Sequence, residues 1–116
     1  AGDLGEWWFH ETSGLPLPLG VTAVRRDLGP DVMATLSRVL KASIVYSLAH
    51  RQEALQYAMR FARGLLPATA DQFVGMYVND WTVDMGPRGQ ESIRRFLRRA
   101  HQQGLIDFAA PVDFVE

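Results

Sequence analysis

The side chains best suited to proton transfer lie near the start of the chain, where His10 stands beside Glu11 and four residues after Glu6. A histidine–carboxylate pair can serve as acid and base when a pocket holds it. Here the pair sits in the aromatic run Trp7-Trp8-Phe9, and a partly exposed helix position is the favoured account of His10. His50 and His101 read as helix-end residues, where a cation is favourable near the C-terminal dipole. Arg25 and Arg26 end a β-branched run. On a strand they point to opposite faces, so one of them can reach a carboxylate ligand through a bidentate pair. Arg94, Arg95, Arg98 and Arg99 recur at i, i+1, i+4 and i+5 on a helical pattern, a basic face able to meet an acidic partner. No aromatic residue is interleaved there for base stacking, so a solvated helix face is the favoured reading.

Other chemistries are disfavoured by what the sequence lacks. Three scattered histidines, no H-E-x-x-H and no close carboxylate cluster leave no metal signature. There is no G-x-S-x-G, and Gly86-Pro87-Arg88-Gly89 reads as a helix start rather than a phosphate loop. The formal net charge of −1 gives no reason to expect nucleic acid or a membrane surface. No run of eighteen apolar residues and no secretory leader is recognisable, and with no cysteine the expected location is cytoplasmic. Eleven of the twelve basic residues are arginine. With 116 residues and 47% apolar content, the chain is one domain or part of one.

The elements that must position these groups are organised around Leu15-Pro16-Leu17-Pro18-Leu19-Gly20. Each proline fixes φ and removes a backbone donor, and the leucine before each proline is pushed to extended geometry. The result is a stiff apolar bridge between Gly14 and Gly20, and its leucines call for burial. Before it, Asp3 caps a short helix over residues 3–10 with Glu6 completing a capping box. Trp7 and Trp8 cannot both face one core from that helix. After it, Val21 to Arg26 reads as a strand. Gly29-Pro30-Asp31 opens a helix with the stripe Met33, Leu36, Val39, Leu40, Ile44 and Leu48. After a break near His50, Leu55, Ala58, Phe61 and Ala62 form the face of a second helix. Thr69 to Gln72 reads as a capping box for a third. A last helix runs from Pro87 to about Gln103, faced by Ile93, Phe96, Leu97 and Ala100, with Gly104 at its end. The apolar tail from Leu105 has room for a short strand.

These stretches together resemble the 1,4-dihydroxy-6-naphthoate synthase family of the futalosine route to menaquinone. The likeness is carried by Leu4-Gly5-Glu6-Trp7-Trp8, Gly14 to Gly20 and Arg25 to Gly29. It continues through Ser47-Leu48-Ala49-His50 with Glu53-Ala54-Leu55, then Tyr77-Val78-Asn79 and Asp84-Met85-Gly86. An extra Ser13 stands between Thr12 and Gly14. The family enzyme is longer, so the chain looks like its C-terminal portion, and the family's catalytic histidine lies upstream of Leu4.

The resemblance implies an α/β fold, part of two periplasmic-binding-protein-like lobes, to which this chain gives mostly helix with one or two strands. Residues 1–20 would be the interlobe segment and crossing, and residues 21–116 a strand plus helical layer completing the first lobe. The implied activity is conversion of cyclic dehypoxanthine futalosine to 1,4-dihydroxy-6-naphthoate, a lyase-type step with no cofactor or metal. No catalytic residue is expected in this chain, which alone would be inactive. Leu17, Pro18, Leu19, Gly20 and Arg25 are the candidates for the substrate cleft, since ligand pockets are mostly apolar with few polar groups. The expected partners are a small-molecule substrate and either a missing N-terminal portion or further copies of the chain. The alternative is a non-catalytic helical module for binding or assembly.

Overall fold

The computed structural model describes residues 2–61, 64 and 66–115. Six helices follow in order: α1 Leu4–Glu11, α2 Pro30–Ala49, α3 Arg51–Met59, α4 Pro67–Tyr77, the single turn α5 Asp80–Val83, and α6 Gly86–Gln102. They form two compact units. One comprises residues 1–23 and 85–115, and so holds α1, the proline bridge, α6 and the tail; the other comprises residues 24–84.

Local chemistry explains most helix ends. The Asp3 side chain accepts from the Gly5 and Glu6 backbone N–H groups, satisfying orphan donors of α1. Proline stands in the first turn of α2, α4 and α6, where its missing N–H costs nothing. At the far end of α6, Gly104 has φ 69°; its N–H donates to the His101 carbonyl and that of Leu105 to the Ala100 carbonyl, both at 2.9 Å. These two bonds are the pair that closes a helix through a left-handed glycine. The expected cap at Thr69–Gln72 is not used: α4 begins at Pro67, because a proline already set for helical φ starts the turn earlier. Asn79 instead makes a capping box, with Thr82, that starts α5. Ala62, assigned to the face of the second helix, lies outside the described residues.

The expected α/β fold is overturned. Among the described residues there is no strand. Residues 15–25 carry no ladder, and Arg26–Leu28 closes a 3-10 turn instead of ending a strand. The tail after Gly104 is likewise strandless among the described residues. A β-branched run needs a hydrogen-bonded partner to become a sheet, and none is at hand for Val21–Val24. The helices therefore give no support to a two-lobed, binding-protein-like architecture.

In the second unit α2 packs on α3 and α5, and α3 on α4. Arg51 at the start of α3 joins α4 through Asp71, with Nε 2.8 Å from Oδ1 and a second bond of 2.9 Å to the Asp71 carbonyl. No residue of α2 is fully buried, and Val32, Leu36, Val39 and Tyr46 lie exposed along one stripe of it.

Candidate functional site

The proline bridge is held from one side by a relay through α1 and α6. Trp8 is 1% exposed, and a buried indole needs an acceptor for its N–H. That acceptor is Ser92 Oγ at 3.0 Å, and the same hydroxyl donates to the Pro16 carbonyl at 2.6 Å. Proline has no N–H, so this carbonyl is the only backbone group by which Pro16 can be tied. Phe96, one turn beyond Ser92, meets Trp8 edge-on at 5.6 Å.

A row of arginines on α6 fixes the turn that leads into the bridge. Arg88 donates to the Gly14 carbonyl, Arg95 to the Thr12 carbonyl at 3.1 Å, and Arg99 to Glu11 at 3.2 Å. Arg99 also lies over the Trp7 ring at 5.2 Å. Positions 88, 95 and 99 share one helical stripe, and they set three cations against the C-terminal end of α1, the favourable end for positive charge. Within the turn, buried Thr12 donates to the Trp8 carbonyl at 2.6 Å and accepts from the Leu15 N–H at 3.2 Å. Ser13 takes φ 59° and Gly14 φ 103°, so the extra residue is absorbed in left-handed backbone. A Cβ on Gly14 would stand 3.6 Å from both the Phe9 ring and the Arg88 guanidinium.

The cleft candidates are distributed as follows. Leu17 and Pro18 are half-buried, while Leu19 and Gly20 are exposed. Gly20 has ordinary negative-side backbone, and a Cβ there would meet nothing within 4 Å. Arg25 belongs to the second unit, and Leu17 to Gly20 belong to the first. It is exposed and already bound to Asp27 by two hydrogen bonds, one of them Nε to Oδ1 at 2.9 Å. None of the five lines either described cavity.

His10 is exposed on α1, its ring edge-on to Phe9, and makes no pair with Glu6 or Glu11. His50 stacks on Tyr46 at 4.0 Å and its Nδ1 lies 3.0 Å from the Tyr46 carbonyl, which accepts the hydrogen bond. In the second unit a cavity of about 230 Å³ lies among α2, α3 and α4, walled by Ile44, Leu48, Leu55 and Val74 with Arg51 and Asp71 among its polar groups. Among the described residues no group of three His, Asp or Glu side chains is placed to hold a metal ion.

Comparison with known proteins decides the kinship. The sequence profile described as menaquinone biosynthesis matches residues 1–102. The chain belongs to the menaquinone biosynthesis family. Within it, the chain is 39% identical over 109 residues to a 1,4-dihydroxy-6-naphthoate synthase of Streptomyces coelicolor, covering 94% of this chain and 38% of that protein. A protein of the same name from Thermus thermophilus is 40% identical over 109 residues, covering 94% of this chain and 39% of its own length. Among solved structures, an X-ray structure of an Archaeoglobus fulgidus protein superposes with a TM-score of 0.81 at 38% identity, covering 90% of this chain and 39% of that one. The chain thus spans about two-fifths of the length of these relatives.

Of the residues that hold this family member together, Ser92 and Thr12 escaped the reading of types and spacing, and Arg95 was read only as part of a basic face. Ser92 was legible in principle: it lies on the α6 face of Gly89 and Phe96, where a lone hydroxyl implies a buried partner. Arg95 and Arg99 are solvent-accessible, yet both also reach back to the end of α1.

Proposed function

We propose that this chain is the C-terminal portion of a 1,4-dihydroxy-6-naphthoate synthase, a lyase-type enzyme acting on cyclic dehypoxanthine futalosine. The observation that carries the reading is identity of 39% and 40%, across 94% of the chain, to two proteins of that name. The chain's part is positioning. Catalysis by placement needs reacting groups held within fractions of an ångström. A two-proline bridge, pinned at Pro16 by Ser92 and at its entry by Arg88 and Arg95, supplies a backbone with little freedom. Leu17, Pro18, Leu19 and Gly20 then border the aromatic part of the substrate. Arg25 can take a substrate carboxylate only by exchanging it for Asp27.

α2 is long and apolar enough to cross a membrane by length and composition. We read it instead as a packing surface. Arg38 and Lys41 stand near its middle, and each cation costs about 2.5–3.5 kcal/mol at a bilayer centre.

The test is turnover of the cyclic substrate by the 116-residue chain, alone and joined to the remaining sequence its relatives carry. No turnover is expected alone and product is expected from the joined protein, with Pro18→Ala lowering kcat/KM more than stability. Failure of the joined protein to turn over substrate would leave a non-catalytic module.

A further inference from the structure

The four arginines at 94, 95, 98 and 99 divide between two faces of α6. On one face Arg95 and Arg99, with Arg88, each donate to an oxygen of the α1 end. On the other, Arg94, Arg98 and His101 follow at i, i+4 and i+7 and line a cavity of about 220 Å³, closed opposite by Ala109, Ala110 and Val112 of the tail. No carboxylate lines it; Asp107 and Asp113 belong to the same tail but are not in its wall.

We propose that this cavity binds a small anion bearing a phosphate or carboxylate group. Two of its polar side chains are already oriented. The Arg94 guanidinium sits over the Phe114 ring at 4.8 Å, and His101 is fixed by its Nδ1 donating to the Ile106 carbonyl at 3.1 Å. Arg98 makes no hydrogen bond or ion pair among the described residues, so its five donors stand ready. Arginine matches the planar geometry of carboxylate and phosphate, and such charge-assisted bonds are about twice as strong as neutral ones. The alanine and valine wall lowers the local dielectric and strengthens them further. Size narrows the ligand. Drug-sized pockets run from about 300 Å³ upward, and a water occupies about 30 Å³. The cavity therefore suits inorganic phosphate or a short dicarboxylate.

The experiment is an amide-resonance titration of the full chain with inorganic phosphate and, separately, with succinate, at constant ionic strength against a chloride control. Saturable shifts centred on residues 94–101 and 109–112 are expected with at least one of the two; which one saturates assigns the headgroup. Arg98→Gln should weaken that binding by about tenfold, the loss of one charge-assisted donor group, and Arg98→Lys should restore part of it. The Arg98 side chain donates no bond among the described residues, so circular dichroism should not change in either variant. Linear shifts equal to those of chloride, shifts centred elsewhere, or unchanged binding by Arg98→Gln would overturn the proposal.

Discussion

Ser92 shows how much one hydroxyl can hold. It is 1% exposed and satisfies two groups at once, the Trp8 indole and the Pro16 carbonyl. Removing it orphans the buried Trp8 indole N–H and takes the donor from the part-buried Pro16 carbonyl. A buried polar group left unpaired costs about 1–3 kcal/mol, so Ser92→Ala should destabilise the first unit by on the order of 2–4 kcal/mol. Urea unfolding followed by tryptophan fluorescence measures this, and a loss below about 0.5 kcal/mol, the size of an ordinary surface substitution, would show the relay to be incidental. Ser13 carries a different kind of cost. It is the one non-glycine at positive φ among the described residues, in a turn whose next residue, Gly14, tolerates that region freely.

At the scale of elements, α3 and α4 are joined by the Arg51–Asp71 pair, whose side chains are 39% and 45% exposed. Exposed pairs couple weakly, and water screens them. A double-mutant cycle with Arg51→Ala and Asp71→Ala should give a coupling of about 0.2–1 kcal/mol that shrinks with added salt. A larger, salt-independent coupling would mean the pair acts as a buried one. Arg51 also bonds the Asp71 carbonyl, a contact the cycle leaves in the Asp71→Ala arm. The same scale shows where sequence is informative. Asp3, Pro30, Pro87 and Gly104 act within a turn of themselves, and each marked its helix end correctly. The run Val21–Val24 has strand character by type, but a strand is made by a ladder partner, which no local pattern encodes. The bridge was legible as stiff and extended from its prolines alone. What holds it was not, because Trp8, Pro16 and Ser92 are brought together across more than seventy residues of chain. Of the two glycines that close the bridge, Gly14 has the positive φ and the close neighbours.

At the scale of the whole molecule, each unit has a thin core of its own. Trp8 and Ala70 are the buried apolar residues described, one in each unit. Meanwhile α2 exposes Val32 at 47%, Leu36 at 39%, Val39 at 60% and Tyr46 at 56% along a single stripe. Contiguous exposed apolar surface of this kind marks an interaction face. Burying a valine, leucine or comparable side chain contributes roughly 1.5–3 kcal/mol when fully exposed at the start. These four are about half exposed, so covering the stripe offers roughly half of that for each residue. Against it stands the lost translational and rotational freedom of association, about 4–15 kcal/mol. The stripe alone therefore comes near balance, and Leu40 of the same helix, 45% exposed, adds to it. We expect the 116-residue chain, by itself, to self-associate at micromolar concentration. Sedimentation velocity should show species heavier than 13.0 kDa. Val39→Glu, which places a charge at the centre of the stripe without removing a buried contact, should shift them toward monomer while helicity stays unchanged. A monodisperse 13.0 kDa species with cooperative unfolding would show that the two units are self-sufficient. Unchanged association of Val39→Glu would instead move the interface off α2, to the face carrying Leu19 and Val21.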